Sequence, residues 1–60
     1  MTDYSDHDKL LCVERELRFR RVVYEKRVAR GAMSKDQADR EIATMEAIAA
    51  DYRDSVRGNE

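Results

Sequence analysis

Two side chains near the start of this 60-residue chain, His7 and Cys12, are of the types that support nucleophilic catalysis, an imidazole base beside a thiol. Their spacing rules the pair out. Five residues along a helix is about 140° of rotation, so the two cannot share a hydrogen bond within one chain. Asp3, Asp6, His7 and Asp8 are of metal-ligand type, but acids at the start of a helix are accounted for by its positive dipole end. A lone cysteine forms no internal disulfide, and one Cys with one His builds no structural zinc site. Cys12 is read instead as a half-buried small hydrophobe. With two glycines in the whole chain there is no phosphate-binding loop. The expectation is a non-enzymatic protein with no cofactor, no metal and no small-molecule substrate.

The Arg-rich stretch is the next chemistry-bearing feature. Residues 14–30 carry seven positive charges, Arg15, Arg18, Arg20, Arg21, Lys26, Arg27 and Arg30, against Glu14, Glu16 and Glu25, a net +4. Residues 34–54 carry three positive against six negative, a net −3, so the overall charge of −1 hides two halves that attract each other. Nucleic-acid contact through Arg15, Arg18 and Lys26 is one reading, since cations bind phosphates. Glu14 and Glu25 interrupt the most basic side, and a groove-reading helix needs a supporting bundle. Pairing with the acidic half is preferred, with an acidic protein partner as a further possibility.

These side chains must be positioned by helices. There is no proline, and 42% of residues are charged, which bounds the chain to one small, helix-prone domain. Arg30-Gly31-Ala32-Met33-Ser34 sets a stop signal beside a start signal: Gly31 suits the left-handed position past a helix end, and Ser34 suits the next N-cap. Ser34 and Gln37 fit a capping box, with Met33 placed to pack on Ala38. Ser5 or Asp6 caps the first helix. The predicted layout is a flexible lead-in over 1–5, helices over about 6–30 and 35–56, a bend at 31–34 and a flexible tail over 57–60.

The first helix has an apolar row at Leu10, Val13, Leu17, Tyr24 and Val28, and the second has one at Ala38, Ile42, Met45, Ala49, Tyr52 and Val56. Folding the chain about Gly31 brings these rows into register. Val28 with Ala38, Tyr24 with Ile42, Leu17 with Ala49 and Leu10 with Val56 all have residue numbers adding to 66. Large meets small at Leu17/Ala49 and Val28/Ala38, as interdigitating layers require. The first row has a gap where Arg20 and Arg21 stand. Both are expected to lay their stems across the seam toward Glu41 and Glu46.

A second apolar group, Cys12, Phe19 and Val23 with Leu11 and Val22 beside it, lies more than 100° from the first row, so a single partner helix cannot cover both. On the second helix, Ile48 sits on the near flank and Ala43, Ala47 and Ala50 form a small-residue back face. The fold class expected is therefore all-α, an antiparallel two-helix hairpin pairing into a homodimeric four-helix bundle that buries Phe19. A chain this short buries only about 60% of its unfolded surface, which favours such an external staple. A different protein partner, including a host protein, is the alternative occupant. No apolar run approaches a membrane span and residues 1–9 are acidic and polar, so the chain is read as cytoplasmic with no membrane partner.

The pattern Glu16-Leu17-Arg18, Arg20, Val23-Tyr24, Val28, Gly31, Met33-Ser34, Ala38, Glu41-Ile42, Met45, Ala47-Ile48, Asp51-Tyr52 resembles that of small uncharacterised phage- and prophage-encoded helical-hairpin proteins. The resemblance spans Glu16–Tyr52 and implies an accessory or host-modulating role without an established activity. The helix, Gly-x-Met-Ser bend and second helix are also similar to short helical domains that mediate oligomerisation at protein C-termini.

Overall fold

A computed structural model describes residues 3–58. It contains two helices, α1 (Asp6–Ala29) and α2 (Lys35–Gly58), which pack against each other; among the described residues there is no strand. Each has 24 residues, about 36 Å at 1.5 Å per residue, and together they form a rod of 43 × 21 × 16 Å.

Local chemistry sets the helix ends. The Ser5 hydroxyl accepts from the Asp8 amide at 3.1 Å, so Ser5 is the N-cap, and Asp6 and Asp8 lie in the first turn where the dipole favours acids. At the other end the Ala32 amide donates to the Arg27 carbonyl at 2.9 Å and the Gly31 amide to the Val28 carbonyl at 3.0 Å. These nested bonds are a Schellman motif, which requires a left-handed residue, and Gly31 supplies it with φ of +75°. The Gln37 amide then donates to the Ser34 hydroxyl at 3.0 Å, starting α2. Among the described residues only this half of the capping box forms.

The second helix outlasts its expected end at Val56. Arg57 and Gly58 complete its last turn, with Arg57 at the negative end of the dipole. Met1, Thr2, Asn59 and Glu60, the outer parts of the expected lead-in and tail, lie outside the described residues.

No Cβ contact would oppose a side chain at Gly31; its backbone angle is the constraint. Gly31→Val should therefore destabilise by about 1 kcal/mol or more, because a β-branched residue pays the left-handed penalty that glycine escapes. Thermal melting followed by circular dichroism checks this. An unchanged or raised midpoint would mean that the chain does not need this turn.

The core is one residue wide. Leu10, Leu17, Tyr24, Ala38 and Ala49 are its buried members, and Ala49, at 1% exposure, is the most enclosed. All five belong to the two expected rows. Val13, Val28, Ile42, Met45, Tyr52 and Val56 flank them and are only half-buried, because among the described residues no third element covers the sides of the seam. Among the described residues no helix is long and apolar enough to cross a membrane.

Candidate interaction surface

The two sides of the hairpin differ. On one, Arg21 donates to Glu46 at 2.8 Å and Arg53 to Glu14 at 3.1 Å, two bridges that span the helices above open grooves. All four side chains are about half exposed or a little less, so each pair contributes at most about 1 kcal/mol. On the other side, Tyr4, Asp8, Lys9, Cys12, Val13 and Tyr52 line a largely apolar notch, with the Lys9 ammonium 5.8 Å from the Tyr52 ring centre. Ser55 donates to Asp6 near the open end, tying the start of α1 to the end of α2.

The expected pair of arginines divides. Arg21 crosses the seam to Glu46, but Arg20 stays on its own helix, donating to Glu16 at 3.2 Å and to the Tyr24 hydroxyl at 3.1 Å. The Tyr24 bond, with that to Glu16, holds the Arg20 guanidinium above its ordinary pKa. One residue is 100° of rotation, so the two arginines straddle the seam, and only Arg21 stands on Glu46's side. Glu41 receives neither. The signal was present in the sequence: Glu16 precedes Arg20 by four residues, the favoured helical order for acid and base.

Cys12 also differs from its expected half-buried state: its thiol is free and exposed at the edge of the Tyr52 notch. It is too far around α1 from the seam to be covered by α2. His7 is exposed as well, and among the described residues no group of three or more His, Cys, Asp or Glu side chains is placed to hold a metal ion.

The second apolar group occupies an arc of α1 facing away from α2. Phe19 is 63% exposed, and Leu11 and Val22 are 53% exposed each. Cys12 and the half-buried Val23 lie at the edge of this arc nearest the notch. Ile48, exposed on α2, is level with Phe19 but on the other helix, so it extends the notch side and does not join the outer arc. The six candidate residues thus form two adjoining surfaces.

Comparison of the chain with protein-family models, with characterised proteins and with solved structures finds no match. The surface chemistry alone must carry the functional reading.

The cations of α1 are disposed otherwise than expected. Of the seven, only Arg21 pairs with α2 among the described residues. Arg15, Arg18, Lys26 and Arg30 are exposed and enter no ion pair among the described residues; Arg15, Lys26 and Arg30 share the outward side of α1 with Phe19, whereas Arg18 borders the groove that Glu14 and Glu46 line. Glu14 and Arg18 line the same groove, so Glu14 borders the basic side there. Glu14 is drawn to Arg53, and Glu25 lines the groove beside Lys35 and Asp39.

Proposed function

We propose that this chain is a non-enzymatic protein-interaction module, a phage or prophage accessory or host-modulating protein that works by docking helix against helix. The observation that carries this reading is the exposure of Phe19, with Leu11 and Val22 on the same arc, in a chain whose core, among the described residues, holds five buried side chains. Exposed aromatic side chains contiguous with aliphatic ones mark interaction surfaces.

The module acts as a homodimeric four-helix bundle formed across the notch side, where Cys12 lines the notch with Val13 and Tyr52 and Ile48 is exposed on α2. Phe19 points away from α2, so stacking two hairpins side on side leaves it at the perimeter instead of in the bundle core. Sedimentation at tens of micromolar should give about twice the 7.0 kDa chain mass. Ile48→Asp should return it to a monomer, whereas Phe19→Asp should leave the mass unchanged. A native monomer, or a dimer indifferent to Ile48→Asp, overturns this arrangement.

A second reading is supported by the unpaired cations: a nucleic-acid accessory protein using Arg15, Arg18 and Lys26. Gel shifts on DNA and RNA at near-physiological salt separate the two, since a phosphate-driven complex weakens steeply as salt rises.

A further inference from the structure

The outer arc of α1 combines two properties. Leu11, Phe19 and Val22 are exposed on it, and Arg15, Lys26 and Arg30 stand among them and enter no ion pair among the described residues. From residue 11 to residue 30 this arc carries apolar and cationic side chains and no acid. At helical spacing, Arg15, Phe19, Val22 and Lys26 follow steps of four, three and four, the row a partner helix would sit upon.

A second copy does not suit this row. Phe19 with Val22 and Arg15 with Lys26 share the residue-number total 41, so a two-fold antiparallel pairing that stacks Phe19 on Val22 also sets Arg15 against Lys26. A parallel pairing sets each cation against its own mate. Both place like charges face to face around the apolar centre, which opposes association.

We infer that the outer face of α1 is a docking site for an acidic amphipathic helix of another protein, whose aliphatic row covers Phe19 and Val22 while its carboxylates meet Arg15 and Lys26. Nucleic acid would satisfy the cations but leave Leu11 and Val22 in water, whereas such a helix satisfies both halves of the surface. The inference rests on the interaction-module reading and specifies its partner.

The test uses the intact chain at about 0.15 M salt and two synthetic peptides. One is an amphipathic helix of about three heptads with leucine at the first and fourth positions and glutamate on both flanks; the other has lysine for every glutamate. The glutamate peptide should shift the amide resonances of residues 11–30 and bind about tenfold or more tightly than the lysine peptide. The double variant Arg15→Glu/Lys26→Glu, altered only at exposed positions, should reverse that preference. If both peptides bind equally and Phe19→Asp weakens both, the acidic partner is wrong and the docking module stands. If neither binds, both fail. Duplex DNA or anionic vesicles bound at the same salt, with the glutamate peptide silent, also overturn the inference.

Discussion

Leu17→Ala should leave the chain largely unfolded at 25 °C. Leu17 is 6% exposed at the middle of the seam, and the residue level with it on α2, Ala49, is the most enclosed in the protein. Truncating a buried leucine to alanine costs about 2–5 kcal/mol, the higher values arising where neighbours cannot relax into the space. Here the neighbour is itself an alanine and has nothing to extend. A hairpin of this size holds only about 3–5 kcal/mol in total, so the loss consumes most of it. Circular dichroism against urea would show a transition moved to very low denaturant or no transition at all. Phe19→Ala is the control. Its side chain is mostly in water, and its midpoint in the isolated chain should move by no more than about 0.5 kcal/mol. Equal effects at the two positions would mean that the seam is not the core.

The second large effect runs in the opposite steric direction. Ala49→Leu adds three carbons where α1 and α2 approach around a 1% exposed methyl group, and overpacking of this kind costs about 1–3 kcal/mol. Leu17 and Ala49 line the same groove, so the two substitutions should couple. In Leu17→Ala/Ala49→Leu the large and small partners exchange sides and total volume is conserved. The double variant should then be more stable than the sum of the single losses predicts, by about 0.5–3 kcal/mol, as contacting positions in a double-mutant cycle allow. Strict additivity would mean that the two residues do not face each other, and the constant-total register would be wrong with them.

That register was legible because it depends on one bend and two periodic rows. With Gly31 locating the turn, helical geometry leaves little freedom in which Leu17 meets Ala49 or which side chains are buried. The turn itself was readable for the same reason, since only glycine takes a φ of +75° without strain. What escaped the sequence were the directions of long side chains. Arg20 and Arg21 are adjacent in the chain but separated by a quarter turn, and that rotation decides which carboxylate each can reach. Glu14 borders the basic side as its position implies, lining a groove with Arg18, but its carboxylate is engaged by Arg53 of α2. The candidate surface split for a related reason: a wheel projection of α1 places Cys12 and Phe19 together, but it does not show that Ile48 of α2 adjoins only one edge of the arc. Cys12 is exposed, against the half-buried state its residue type suggests, because two helices cover a single strip of each other and a small apolar residue beyond that strip is left uncovered.

The bond between Asp6 and Ser55 has a mechanical consequence. It lies at the end of the rod opposite the Gly31 turn, so a pulling force applied through both chain ends reaches it first. Tension would then travel along the seam one contact layer at a time, from Asp6 and Ser55 to Leu10, then Leu17, and last to the turn. A structure loaded in this manner peels at low force, because each contact layer gives way before the next one bears load. The hairpin is therefore mechanically soft when drawn from its open end, and a partner helix lying lengthwise on α1 would leave that weak axis unreinforced.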